Sequence, residues 1–178
     1  IHNDDTVGPG EGFEIHDHAG VEIVTLVVQG RVRHTDRAGH AGELGPGQAQ
    51  RISAGRGISH TEHNAHGPLT REKLRVVQMW IAPDTPGGEP SYAQADFTDA
   101  LASGEPVTVA SGLTRDYDSG ALTIGNSHVA LHIARPAPGQ TVALPGAPFG
   151  HLYVATGTVS AHAAGSADTE AVVLEAGT

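Results

Sequence analysis

The stretch FEIHDHAGVEIV, Phe13 to Val24, sets two histidines one residue apart and a glutamate four positions beyond the second. In a β-strand, residues i and i+2 point to the same face, so His16 and His18 project together with imidazoles close enough to share one ion. The stretch GISHTEH repeats the device with His60 and Glu62. Brought onto one barrel wall, the two pairs offer three imidazoles and one carboxylate. That set suits a divalent iron, copper, nickel, manganese or zinc ion, with one or two positions left for water or substrate. A single HxH in a chain with 12 histidines is readily coincidence. Two such pairs on expected strands, each preceded by glycine turns, are not so easily dismissed. Glu22 is the rival carboxylate, but it lies across the Ala19-Gly20 break, whereas Glu62 shares a face with His60.

The composition narrows what such a site could serve. The 178 residues suit one domain or two small fused ones, and the formal net charge is −10. After residue 90 the only Lys or Arg residues are Arg115 and Arg135, against eight acids. Phosphate neutralisation needs clustered cations, so nucleic acid and anionic membrane are not expected partners. With no cysteine, disulfides, thiolate metal sites and cysteine nucleophiles are excluded, and any metal takes nitrogen and oxygen ligands. No apolar run approaches the roughly 20 residues that span a bilayer, and no signal peptide is visible. A cytoplasmic location is the default expectation.

The elements that must position the histidines read as an all-β chain, with 24 glycines and 11 prolines punctuating short apolar runs. VEIVTLVVQGRVRHTD predicts two strands joined by a tight hairpin at Gln29-Gly30. Ala49 to Ser53 and ISHTEH are further strands. In REKLRVVQMWIAP, Leu74, Val76, Gln78 and Trp80 share one face of a strand. His34 and His40 are expected to be exposed, on an outward strand and its loop, and His63 and His66 to lie in a polar loop beside the site. From Pro83 to Glu105 the pattern is irregular, with one short helix expected in ADFTDALASG, capped by Asp96 or Thr98 and ended by Gly104. Beyond it, PGQTVALPGAPFGHLYVATGTV echoes PGEGFEIHDHAGVEIVTLVVQGRV, which predicts a duplicated β-unit. Aligned on Gly157 and Gly30, His16 and His18 fall opposite Ala143 and Pro145, so the second copy lacks the ligands. The expected layout is a metal-binding unit over 1–90, a linker over 91–106 and a ligand-free unit over 107–178.

The two histidine motifs resemble those of the cupin superfamily. GFEIHDHAGVEIVTLVVQG, AGRGISHTEHN and VVQMWIAPDTPGGEPSY resemble more closely the pirin family, in particular bacterial pirin-like proteins with quercetin 2,3-dioxygenase activity. The resemblance runs from about Val7 to Phe97 and continues loosely beyond. It implies a bicupin of two fused β-barrel units and one metal, held by His16, His18, His60 and Glu62. Iron(II) is the expected ion, with Cu, Ni, Mn, Co or Zn as alternatives. The chain departs from the family's more usual HPHRGFETV at position 19, where Ala replaces a basic residue, and at Val21.

The resemblance also implies the reaction: dioxygenation of a flavonol-like or other phenolic enol by O₂, with Glu62 as both ligand and proton acceptor. The alternative is a non-catalytic, metal-dependent regulatory module of the pirin type, whose partners would be proteins. A monomer suffices for either.

Overall fold

The computed structural model describes residues 1–163 and 171–178. Short apolar runs broken by glycine and proline give a nearly all-β chain. Its strands are β1 (His2–Val7), β2 (Gly12–His18), β3 (Glu22–Gln29), β4 (Val32–Asp36), β5 (Ala41–Leu44), β6 (Gln48–Ser53), β7 (Ile58–Asn64), β8 (Leu74–Ile81) and β9 (Ser91–Asp96). After a helical turn, α1 (Thr98–Leu101), come β10 (Val107–Ser111), β11 (Leu122–Thr123), β12 (Ala130–Ile133), β13 (Thr158–Ala161) and β14 (Val172–Glu175). Among the described residues no helix is long and apolar enough to cross a membrane.

The first nine strands divide into two sheets, ordered β1-β8-β3-β6-β9 and β2-β7-β4-β5. Their inner faces meet over apolar clusters. One contains Val7, Val27, Val32, Leu44, Leu74 and Val76, the other Ile23, Ile52, Ala54 and Ile58 with Trp80 and Tyr92 beside it. The hairpin expected at Gln29-Gly30 does not form. β3 pairs with β6 and β8, whereas β4 pairs with β5 and β7 in the opposite sheet, so the turn is a corner between sheets. Gly30 sits at φ 75°, and a Cβ there would lie 2.3 Å from the Lys73 carbonyl oxygen. The corner therefore demands glycine for conformation and for space.

The outer face of the five-stranded sheet is apolar too, which explains why it is covered. Val24 and Ala49 pack there against Phe97, Leu101, Val109, Ala110, Leu122 and Ile124. The stretch read as linker thus contributes twice: β9 pairs with β6 over Gln48↔Asp96 to Ser53↔Ser91, and α1 supplies Leu101. The Asp96 carboxylate accepts the Thr98 amide hydrogen at 2.9 Å, but the N-cap position is Phe97, with no side-chain cap bond, and not Asp96 or Thr98 as expected. In the remaining described residues, β10, β11 and β12 form a three-stranded sheet and β13 pairs with β14. Within the echoing stretch, residues 141–157 form no strand, whereas Thr158–Ala161 is β13.

Leu101 is 2% exposed at the centre of the outer cluster. Leu101→Ala is expected to cost about 2–5 kcal/mol, read as a lowered urea midpoint with unchanged slope. A cost below about 1 kcal/mol would mean that the later strands do not pack on this sheet.

Candidate metal centre

The inner faces of the two sheets are not wholly apolar. On β7, alternation turns Ile58, His60, Glu62 and Asn64 inward, all of them buried. On β2, His16 lies opposite His60 in register and His18 opposite Ile58. The pairing shifts between Phe13 and His16, a bulge of the kind that re-aims a side chain. Within that shift the Glu14 carbonyl accepts a hydrogen bond from His16 Nδ1 at 2.7 Å, which leaves Nε2 with its lone pair.

The three imidazoles converge. Ring centroids are 4.3 Å apart for His16 and His60, 4.8 Å for His16 and His18, and 5.1 Å for His18 and His60. One ring nitrogen from each lies within 4.8 Å of the others. Trp80 packs edge-on against His18 at 4.8 Å. His60 is 1% exposed, and its Nε2 is buried with no hydrogen-bond partner. Trp80 Nε1 and Arg51 Nε are also buried without a partner, but an imidazole nitrogen can offer a lone pair, and a metal ion is one group that would fill that role. Burial first, then the neighbouring His16, His34 and His18, push the His60 imidazole down to about 3. Burial, followed by His16, holds His18 below the ordinary histidine value as well. Both are therefore neutral at pH 7, the form that binds metal.

Glu62 lies one inward position along β7 and groups with His60 and His34, whereas His16 and His18 group with His60. Its carboxylate accepts an amide hydrogen from Gln78 at 2.7 Å on one oxygen and from Gln50 at 2.5 Å on the other. Those amides also reach Thr25 Oγ1, at 3.1 and 3.3 Å. Register explains the arrangement: Gln50, Thr25 and Gln78 stand side by side on β6, β3 and β8, one polar row facing Glu62 from the opposite sheet. Burial raises the Glu62 carboxyl above its ordinary range, with Gln78, His16 and Gln50 pulling the other way. Each oxygen takes one amide hydrogen and keeps a lone pair for an ion or a proton.

Glu22 stands elsewhere. It shares the outward face of β3 with Val24, and its carboxylate accepts the Ser53 hydroxyl at 2.6 Å. His34 corrects the sequence reading: it is fully buried, not exposed. β4 alternates with Val32, His34 and Asp36 inward, and His34 pairs in register with Glu62, Asp36 with His60. His40 is half exposed and hydrogen-bonds Asp36. His63 belongs to β7, not to a loop, and faces Glu14 at 3.4 Å. Sequence reasoning passed over Gln50, Thr25, Asp36 and Tyr92, and placed Gln78 on its face without a role. An open hollow of about 610 Å³ lies against His18, lined also by Asp17, Ala19, Arg37 and Ser59.

Known proteins resemble this chain in sequence and in fold. Residues 1–81 match the Pirin family model. A Mycobacterium tuberculosis protein bearing the provisional name quercetin 2,3-dioxygenase is 46% identical over 173 residues, 97% of this chain and 69% of its own length. A Pseudomonas aeruginosa protein with the same provisional name is 36% identical over 160 residues, covering 89% of this chain and 66% of its own. The crystal structure of YhhW from Escherichia coli superposes with a TM-score of 0.61 at 35% identity, over 70% of this chain and 49% of YhhW. The same protein, described as a bacterial pirin in complex with nickel(II), gives 0.60 at 34% identity. The chain thus spans about half the length of these solved relatives. With nearly its whole length aligned at 46% identity to the mycobacterial protein, the chain belongs to the pirin family.

Proposed function

We propose that the chain is a metal-dependent dioxygenase acting on flavonol-like or other phenolic enols, with one mononuclear site held by His16, His18, His60 and Glu62. The observation that carries this reading is the unpartnered, buried Nε2 of His60 at the meeting point of three imidazoles. The nickel(II) held by E. coli YhhW and the quercetin dioxygenase names of the relatives support it. Among divalent ions the ligand set favours no single one, and we take Fe(II) first, as the family implies. We read residues 107–178 as part of a second, ligand-free cupin unit, with the first unit extended through β9 to Asp96 and the linker shortened accordingly.

When bound, the ion would act as a Lewis acid on the substrate's oxygens and bring it together with O₂. The protein's own contributions follow from its contacts. His18 and His60 arrive neutral, so no proton need leave them before metal enters. His16 is oriented by the Glu14 carbonyl. Glu62, held by Gln50 and Gln78, has a lone pair available to accept the substrate's enol proton, and burial favours that protonation. The open hollow reaches His18, the one of the four side chains that lines it. There Arg37 offers a cation on a mouth where position 19 carries Ala.

Metal-loaded protein is expected to hold about one ion per chain and to consume O₂ with quercetin, and His60→Ala to lose both. No O₂ uptake by loaded protein, with His60→Ala behaving identically, would contradict the reading. Removing one amide donor from Glu62, as in Gln78→Leu, should cost about 1–3 kcal/mol of metal-free stability at pH 8. That cost should shrink toward pH 5 as Glu62 takes a proton, and a pH-independent cost would count against an ionised Glu62. The histidines predict a second pH effect. The folded pKa values of His18 and His60 are depressed, so the unfolded chain binds more protons as pH falls. Metal content should hold above about pH 6.5, the ordinary histidine value, and fall between there and about 3. Loss already above pH 6.5, or full retention at pH 3, would contradict imidazole ligation.

A further inference from the structure

A chain of hydrogen-bonding side chains runs from the surface to the back of His60. The His40 backbone N–H donates to Asp36 Oδ1 at 2.9 Å, and His40 Nδ1 lies 2.8 Å from Asp36 Oδ2. That same oxygen lies 3.4 Å from His34 Nε2, and His34 Nδ1 lies 3.4 Å from His60 Nδ1. The side chains of His34 and Asp36 are both 0% exposed. Tyr92 stacks on the His34 ring at 4.5 Å with 14° between planes, and its hydroxyl lies 3.2 Å from Gln50 Oε1.

Donor and acceptor roles along this chain are forced once Asp36 is ionised. Burial alone would raise the Asp36 carboxyl, but hydrogen bonds from His40 and His34 outweigh it and hold it below its ordinary range. An ionised carboxylate only accepts, so His34 must present Nε2–H to it. With its side chain fully out of water and stacked on Tyr92, His34 is held as the neutral imidazole with one proton. Its Nδ1 is then bare and faces His60 Nδ1. Two bare nitrogens would leave both unpaired in the core, so His60 carries its proton on Nδ1 and exposes a lone pair at Nε2. With Nδ1 taken up by His34, Nε2 is the nitrogen left for the three-imidazole cluster.

We propose that His34, oriented by Asp36 and Tyr92, is a positioning residue that fixes the tautomer of His60 so that its Nε2 is ready to bind metal. The proposal rests on the metal reading above, but its first test needs no metal. The logic is that of an outer-shell carboxylate–histidine pair, here lengthened by a second imidazole. His34 itself is not a ligand, because both its nitrogens are spoken for.

The experiment is long-range ¹H–¹⁵N correlation spectroscopy of uniformly ¹⁵N-labelled, metal-free protein, followed by calorimetric titration with nickel(II). Expected in the wild type are His34 as Nε2–H and His60 as Nδ1–H. In Asp36→Asn the new amide can donate to His34, reversing both tautomers, so His60 should gain Nε2–H and nickel affinity should fall about 10–100-fold. His34→Gln, whose oxygen can accept from His60 Nδ1–H, should keep affinity within a few fold, while His34→Leu should lose it. Wild-type His60 found as Nε2–H overturns the proposal. So does an Asp36→Asn protein with wild-type amide spectrum and unchanged affinity, or a nickel-induced shift showing His34 as a ligand. If Asp36→Asn does not fold, the wild-type tautomers and the Gln–Leu contrast at His34 decide. Wild-type protein with the expected tautomers that binds no nickel overturns the metal reading instead.

Discussion

A carboxylate sealed between two β-sheets needs a hydrogen-bond donor on each oxygen, and the facing inner surfaces of the two sheets are organised around that demand. Glu62 is 3% exposed and receives one amide from each of two strands of the opposite sheet. Those amides share the Thr25 hydroxyl, and Gln50 in turn is reached by Tyr92. Leaving one such buried group unpaired costs a few kcal/mol, a large part of a domain's net stability of about 5–15 kcal/mol. The polar row on β6, β3 and β8 is therefore as much a condition of folding as the apolar clusters on either side of it. Among the described residues the buried ring and guanidinium nitrogens without a partner are His60 Nε2, Trp80 Nε1 and Arg51 Nε, and of these His60 Nε2 alone has a lone pair to offer an ion.

The apolar clusters divide the work by face. The inward clusters close the two sheets on each other and leave a polar layer between them where β2 and β7 meet. The outward cluster ties β9, α1 and the strands that follow to the back of the same sheet that carries Gln50, Thr25 and Gln78. Anchoring that sheet from behind stiffens the row that holds Glu62, so the later strands contribute to the site without supplying a ligand.

Much of this was legible in the sequence. Period-two spacing put His16 with His18 and His60 with Glu62, and the face shared by Leu74, Val76, Gln78 and Trp80 is the inward face of β8. The same rule, carried two and four residues beyond Val32, would have turned His34 and Asp36 inward; the charge of Arg31, Arg33 and Arg37 around them made the strand look like a surface one. The corner at Gly30 was not legible, because a Gln-Gly turn between two apolar runs has the local chemistry of a hairpin. Only the competition among β6, β7 and β8 for the two strands decides that they part. The register that aligns Gln50, Thr25 and Gln78 is non-local in the same way, since the three are brought together by pairing across separate stretches of chain. β9 hid in a proline-rich passage because its apolar side chains are mostly alanine.

The central claim is that His16, His18, His60 and Glu62 surround one ion. The most direct measurement is the anomalous scattering of nickel in crystals of the nickel-loaded protein. A single peak about 2 Å from a ring nitrogen of each of the three histidines and from a Glu62 oxygen is the result expected. A peak centred on His34, or no peak among these side chains, would contradict it.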